Sequence, residues 1–191
     1  MELIFASNNQ HKLNEIQAIA GNKISLKSLK DISCFDEIPE TGRTFEINAG
    51  QKSRYIYDRF HVSCFADDSG LEIDGLNGEP GVDSAHYSGS RDFGKNMELV
   101  LSNLGDNPNR RARFRTVISL LLNGEEHLFE GTIEGNITRE ICGTKGFGYD
   151  PIFIPEGYDV TFAEMDAEEK NRISHRAVAV RKMVVAALSS Q

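Results

Sequence analysis

The sequence lacks the features that mark a secreted or membrane protein. Its three cysteines, Cys34, Cys64 and Cys142, show no C-x-x-C spacing, which predicts free thiols in a reducing compartment. The first residues, MELIFASNNQHK, lack the charged and apolar regions of a signal peptide, and no apolar run approaches transmembrane length. We therefore expect a cytoplasmic protein with no membrane partner.

Positive charge is also scarce. The chain has 21 Lys and Arg residues against 29 Asp and Glu, which gives a formal net charge of −8. An acidic chain without a basic run is not expected to bind nucleic acid, because that binding depends on contacts to phosphates. A small phosphorylated ligand remains compatible with this charge, since a metal ion and a few lysines act locally.

Several familiar catalytic and metal-binding motifs are missing. The phosphate loop G-x-x-x-x-G-K-[ST] and the esterase motif G-x-S-x-G are both absent. The histidines and cysteines also lack the spacing of a zinc site. A P-loop nucleotidase, an esterase and a zinc enzyme are therefore disfavoured.

What the chain does have is enough apolar sequence for one folded domain. Its 191 residues are 39% hydrophobic, and we predict a single domain over 1–191 with its own core. Strands alternate with helices early and follow one another later, which predicts an α/β fold with a mixed sheet. The predicted elements are strands at 3–6, 24–29 and 62–66, helices at 13–20, 45–60 and 93–104, a long loop at 75–92, a hairpin at Asn123-Gly124 and a helix after Ser174.

Polar residues collect where these elements end. Ser7, Asn8, Asn9 and Lys12 open the first helix, whose free amides suit a phosphate group, although ordinary helix caps use the same residues. Glu40 in a turn and the pair Asp67-Asp68 at a predicted strand end are the kind of carboxylates that Mg²⁺ recruits; they are equally typical of solvated loops.

Two further segments carry residues suited to a nucleobase. In GFGYDP, glycines let a backbone approach a flat ligand and an aromatic ring can stack on a base, although a turn with core aromatics fits too. In EEKNRISHRA, Ser174 begins a helix beside His175 and Arg176. Arginine is unfavourable at a helix N-terminus, which favours a ligand-binding role over a solvated one.

Taken together, five segments resemble the inosine triphosphate pyrophosphatase family. They are ASNNQHKLNEI, IPETGRTFEINAGQKS, CFADDSGLEIDGLNGEPGV, GTKGFGYDPIFIPEG and EEKNRISHRA, in the family's order over nearly the whole chain. The resemblance implies an elongated mixed sheet with helices on both sides and two lobes that form a nucleotide-binding cleft. It also implies a Mg²⁺ cofactor, a homodimer, and hydrolysis of ITP, dITP and XTP to the nucleoside monophosphate and pyrophosphate.

The resemblance also assigns roles by position. Asp68 matches the proton acceptor and, with Glu40, the metal ligands. Ser69 matches a substrate contact. The other positions that match substrate contacts are Ser7, Asn8, Asn9, Gln10, His11, Lys12 and Lys52 for the phosphate end, and Phe147, Gly148, Tyr149, Asp150, Lys170, His175 and Arg176 for the base.

The chain departs from the family pattern in two places. Asn8 stands where glycine is common, which requires either a negative φ or an asparagine that accepts a positive one. Asp83 and His86 replace Tyr and Arg of the family, so no role is assigned to these two positions.

Base choice follows from hydrogen-bonding capacity. Arg176 only donates, so it fits the 6-carbonyl of hypoxanthine or xanthine and opposes the amino group of adenine. Two alternatives remain: a pyrophosphatase for another unusual nucleotide, such as a modified pyrimidine triphosphate, and a nucleotide-binding module without catalysis.

Overall fold

The structure is a computed structural model that describes residues 1–189. Six strands and five helices make up the described chain, with short 3₁₀ turns between them. In chain order they are β1 (Glu2–Phe5), α1 (Gln10–Ala20), β2 (Ser25–Lys27), α2 (Phe45–Phe60), β3 (Cys64–Ile73), α3 (Phe93–Leu104), β4 (Arg111–Leu122), β5 (Glu125–Ile137), β6 (Phe153–Pro155), α4 (Ala167–Ile173) and α5 (His175–Ser189).

The strands form one sheet in the order β2-β1-β3-β4-β5-β6. Strand β1 runs parallel to β2 and β3, with Ile4 opposite Cys64, whereas β5 runs antiparallel to β6. The sheet is therefore mixed, and the predicted α/β class is confirmed. The predicted hairpin is also present, since β4 and β5 are joined by Asn123 and Gly124 with φ of +50° and +88°.

The chain divides into two compact units. Unit 1 comprises 1–68, 116–131 and the segment from Arg176 onward, and unit 2 comprises 69–115 and 132–175. The division falls within β3, β4 and β5, so that Asp68 is the last residue of its segment in unit 1 and Ser69 is the first of unit 2. That 1–191 is a single domain stays a prediction.

Unit 1 has a core on each face of its strands. Side chains alternate along a strand, so Leu3 and Phe5 of β1 face one way and Ile4 and Ala6 the other. The first pair packs with residues of α1 and α5, and the second pair packs with Ile56 of α2. Helices thus cover both faces of this part of the sheet.

Unit 2 has its own core around a group of phenylalanines. Phe114, Phe153 and Phe162 lie with ring centroids 4.6–6.0 Å apart. Residues of β3 and α3 surround them, including Leu71 and Val100. Among residues 1–189, none of the helices has both the length and the apolar character needed to cross a membrane.

The predicted end of the third strand is wrong. The strand predicted to end before Asp67 continues to Ile73, so both acids lie inside β3. Both are buried, and the strand can continue because each carboxylate has protein partners there. The long loop predicted at 75–92 is confirmed, since only short 3₁₀ turns at Asp74–Leu76 and Gly81–Asp83 lie between β3 and α3.

The burial of Cys64 generates a prediction about pH. Its thiol is fully buried and donates to the Ser53 carbonyl at 3.2 Å, and burial raises the pKa of Cys64 to about 12. The unfolded chain ionises this thiol above about pH 9, so its stabilising contribution is complete below that pH and is lost as the pH rises toward 12. Between about pH 9 and 12, ionisation of this thiol in the unfolded chain lowers the free energy of unfolding by about 1.4 kcal/mol per pH unit. We expect this decrease to be absent in Cys64→Ala.

Urea unfolding at a series of pH values between neutral and alkaline would measure this slope. Cys142→Ala is the matched comparison, because it removes a thiol that is half-buried rather than buried. Parallel slopes for wild type and Cys64→Ala would contradict the prediction.

Candidate active site

The loop after β1 is organised as the start of α1. Asn9 is the N-cap, and its Oδ1 accepts from the backbone N–H of Lys12 at 3.1 Å, while Ser7 Oγ accepts from the N–H of Asn9 at 3.2 Å. Asn8 is not among the described residues with positive φ, so a side chain is accommodated where the family commonly has glycine. The prediction that these residues cap the helix is confirmed for Asn9. The backbone amides of the first turn of α1 are then arranged as at a helix N-terminus that binds an anion.

The charged centre of unit 1 is Asp67, which is fully buried. Lys12 Nζ lies 3.0 Å from its Oδ2, and Arg176 Nε lies 3.7 Å from the same oxygen. Arg176 also pairs through Nη1 with Glu15 of α1. Burial alone would raise the pKa of Asp67, but the charges of Lys12 and Arg176, with that of Lys52, hold it well below its usual range. Asp67 is therefore a carboxylate whose counter-ions are protein side chains.

The neighbouring Asp68 has its hydrogen-bond donor on α2. Its Oδ2 accepts from Asn48 Nδ2 at 2.9 Å. Burial raises the pKa of Asp68, the charges of Lys52 and Lys12 oppose this effect, and the charge of Glu40 adds to it. Because successive side chains of a strand point to opposite faces, Asp67 turns toward Lys12 of α1 while Asp68 turns toward α2.

The Glu40 loop is held beside this helix. Glu40 itself is exposed, and its Oε1 lies 3.2 Å from Nζ of the buried Lys52. The Gly42 N–H donates to Asn48 Oδ1 at 2.7 Å. Asn48 thus contacts both the Asp68 carboxylate and the loop that carries Glu40.

The donor set of Glu40 and Asp68 fits a magnesium ion. Mg²⁺ is usually held by one or two carboxylates, with phosphate oxygens and water completing its shell. Both carboxylates are held from the same helix, since Lys52 pairs with Glu40 at 3.2 Å and Asn48 donates to Asp68 at 2.9 Å. Over 1–189 there is no group of three or more His, Cys, Asp or Glu side chains of the kind that forms an all-protein metal site.

In unit 2 the GFGYDP segment forms a closed turn around Asp150. Asp150 Oδ2 accepts from the backbone N–H of Phe147 at 2.9 Å and from Lys170 Nζ at 2.6 Å. Gly146 has φ of +73°, and a Cβ there would lie 2.1 Å from the same Asp150 oxygen. Lys170 Nζ also lies 4.9 Å from the centroid of the Phe147 ring, so one buried ion pair positions both the turn and its aromatic side chain.

The other predicted base-binding residues of unit 2 are held by polar and ring contacts. Tyr149 donates to the Ser84 carbonyl at 2.8 Å, and burial raises its pKa. His175 stacks on Phe114 with centroids 4.8 Å apart and an interplanar angle of 12°. Gly148 has φ of +63°, and Ser69 is half-buried in β3.

Arg176 belongs to unit 1 rather than to this group. It forms ion pairs with Glu15 and Asp67, and it is 2% exposed, as is expected of a residue within a charge network rather than a solvated one. The interpretation of His175 and Arg176 as solvated first-turn residues is wrong, since both are buried. That Arg176 reads the base stays a prediction.

Among the residues that sequence reasoning missed, Glu15, Asn48 and Ser84 each contact a predicted site residue. Glu15 follows Lys12 by three positions on α1, and Asn48 precedes Lys52 by four on α2, so each pair shares a helix face. That spacing was a signal available in the sequence. Ser84 makes its contact through a backbone carbonyl, for which the sequence carries no signal.

Comparison with known proteins supports one family. A family model described as the Ham1 family matches residues 3–186. A dITP/XTP pyrophosphatase of Flavobacterium psychrophilum is 50% identical over 185 residues, which is 96% of this chain and 97% of that protein. A protein of the same name from Bacillus subtilis is 45% identical over 187 residues, covering 95% and 94%.

Solved structures agree with this result. The structure of the Staphylococcus aureus Ham1 protein matches with a TM-score of 0.90 and 38% identity over 100% of both chains. A nucleoside-triphosphatase / dITP/XTP pyrophosphatase from Mycobacterium abscessus matches with a TM-score of 0.78 and 42% identity over 96% of this chain and 98% of that one. The resemblance found in the sequence is confirmed.

The charge network around Asp67 generates a prediction about stability. Asp67→Asn removes the carboxylate that Lys12 and Arg176 share in a buried site. Breaking a buried ion pair by removing one partner leaves uncompensated charge, so the free energy of unfolding should fall by about 3–5 kcal/mol.

Urea unfolding measures the change. Asp106→Asn is the matched control, because the pair of Asp106 with Arg139 lies at the surface and its loss should change stability little. A fall of less than about 1 kcal/mol for Asp67→Asn would show that the network does not hold the fold together.

Proposed function

The chain belongs to the Ham1 family, and on that premise we propose that it hydrolyses deaminated purine nucleoside triphosphates, namely ITP, dITP and XTP. The products are the nucleoside monophosphate and pyrophosphate. The observation that carries the proposal is the pair Asp67-Asp68 on β3, in which Asp67 pairs with Lys12 and Arg176 while the buried Asp68 accepts from Asn48, a residue that also binds the loop carrying Glu40. Two adjacent acids with such different surroundings suit two different tasks.

The phosphate-binding role falls to unit 1. Lys12 lies in the first turn of α1, where free backbone amides and the helix dipole already favour an anion. Lys52 projects from α2 beside Glu40. We assign the neutralisation of phosphate oxygens to these two lysines, and their partial burial strengthens that interaction because water screens it less.

Asp68 is the proposed proton acceptor. A water molecule oriented by its carboxylate attacks phosphorus, a new P–O bond forms, and the bond between the α- and β-phosphates breaks to release pyrophosphate. The proton of the water passes to Asp68. We do not assign Asp67 as the proton acceptor, because its carboxylate forms ion pairs with Lys12 and Arg176.

We also propose Mg²⁺ as the cofactor, held by Glu40 and Asp68. When bound, the ion would withdraw charge from the phosphate oxygens during attack. Lys52 pairs with Glu40, and Asn48 donates a hydrogen bond to Asp68, so both proposed ligands are held by residues of α2.

Base recognition is proposed for the GFGYDP turn with Lys170 and His175, and for Arg176. The half-buried Phe147 offers a ring for stacking, and the ion pair of Asp150 with Lys170 keeps the turn in place. Arg176 contributes donors that fit a 6-carbonyl. Stacking by itself does not distinguish purines, so selection against adenine rests on the donors.

A pyrophosphate-release assay tests this proposal. With ITP, dITP and XTP we expect Mg²⁺-dependent turnover well above that with ATP, and Asp68→Asn should reduce it by about 10⁴-fold, to near background, because the proton acceptor is lost. Circular dichroism would verify that the variant is folded, and Asp106→Asn should keep wild-type turnover. Preference for a pyrimidine triphosphate, or binding without hydrolysis, would overturn the proposal.

We further propose that the protein acts in the cytoplasm as a homodimer, on the strength of the family resemblance. Size-exclusion chromatography with light scattering should give about twice the chain mass of 21.3 kDa. A mass equal to that of one chain across a dilution series would refute the dimer.

A further inference from the structure

We infer that Asn48 is a positioning residue, which fixes the Asp68 carboxylate relative to the loop that carries Glu40. The inference rests on the proposed function, since it gives Asn48 a task in the same site. Asn48 lies in the first turn of α2 and is 4% exposed, and Asp68 is 6% exposed. Neither the sequence motifs nor the resemblance assigned this residue a role.

The orientation of the Asn48 amide follows from its two hydrogen bonds. The backbone N–H of Gly42 can only donate, so the group that faces it at 2.7 Å must be the amide oxygen. The NH₂ group is therefore turned toward Asp68, to whose Oδ2 it donates at 2.9 Å. One side chain thus connects the loop backbone directly to the carboxylate.

The same helix holds the loop at two further points. Gln51 accepts from the N–H of Thr41 at 3.0 Å and donates to the Thr41 hydroxyl at 2.9 Å. Lys52 pairs with Glu40 at 3.2 Å. Asn48, Gln51 and Lys52 are spaced by three and four positions, so they share one face of α2 and bind three consecutive loop residues.

The loop packs tightly against the start of α2 at Gly42. A Cβ added to Gly42 would lie 2.4 Å from Ile47 Cγ2 and 2.7 Å from Asn48 Oδ1. Glycine is therefore required for the loop to approach the helix closely enough for the hydrogen bond. The two carboxylates that we assign to the metal are consequently placed by a short chain of protein contacts that runs through Asn48.

Two variants test whether the Asn48 amide positions the Asp68 carboxylate. Asn48→Ala removes both hydrogen bonds, whereas Asn48→Asp keeps an acceptor for Gly42 and replaces the donor to Asp68 with a repelling carboxylate. We expect both to lower kcat for ITP by about 10-fold or more while KM changes much less, because supporting contacts of this kind tune the reacting groups.

A second readout uses no nucleotide. Manganese binding, followed by the loss of the free Mn²⁺ signal in electron paramagnetic resonance, should be about 10-fold weaker in Asn48→Ala than in wild type. This measurement decides the role of Asn48 even if no triphosphate is hydrolysed, so failure of the proposed function and failure of this inference are distinguishable.

Thr44→Ala is the matched control on the same helix. Thr44 is the N-cap of α2, and its Oγ1 accepts from the Ile47 N–H at 3.3 Å, so its loss should lower the melting temperature but leave kcat and Mn²⁺ affinity unchanged. Wild-type kcat in Asn48→Asp would overturn the inference, and so would unchanged Mn²⁺ affinity in Asn48→Ala. An equal loss in Thr44→Ala would also overturn it, because the effect would then be one of helix stability.

Discussion

The structure depends on the separate neutralisation of two adjacent buried carboxylates. Side by side in one strand, Asp67 and Asp68 would be strongly unfavourable if they shared one environment, because an isolated buried charge is costly. Strand geometry sends them to opposite faces, where Asp67 forms ion pairs with Lys12 and Arg176 and Asp68 accepts a hydrogen bond from Asn48, with the charges of Lys52 and Lys12 acting on it as well. Asp67 is thereby held charged within ion pairs, while Asp68 is the acid that we propose for the chemistry.

The helices of unit 1 supply the polar side chains that surround these two carboxylates. The first helix contributes a cation and a carboxylate, Lys12 and Glu15, the last helix contributes Arg176, and the second helix supplies Asn48 and Lys52. The helices that form the core on both faces of the sheet therefore also carry the polar groups of the site. In unit 2 a single buried ion pair, Asp150 with Lys170, has the comparable task of shaping a glycine-rich turn.

The elements that sequence predicted well are those fixed by local patterns. Apolar periodicity located α2 at its observed bounds, and Asn123-Gly124 predicted the hairpin, because both depend on neighbours a few positions apart. The extent of β3 was missed because the partners of its acids lie far along the chain. Asp67 pairs with Lys12 and Arg176. Arg176 also pairs with Glu15, which is 161 positions away. The family resemblance supplied candidate site positions, but the contacts of Asn48 and Glu15 could be identified only from the folded structure.

The charge network has an implication for how the chain matures. Its members come from the first helix, the middle of the sheet and the last helix, so a ribosome must synthesise almost the entire polypeptide before Arg176 can reach Glu15 and Asp67. Until then Asp67 lacks one of its counter-ions, and β3 would carry an electrostatic penalty in any partially made product. The charge balance of unit 1 is thus coupled to completion of the C-terminal helix, and a truncated product would lack the cation that this helix supplies.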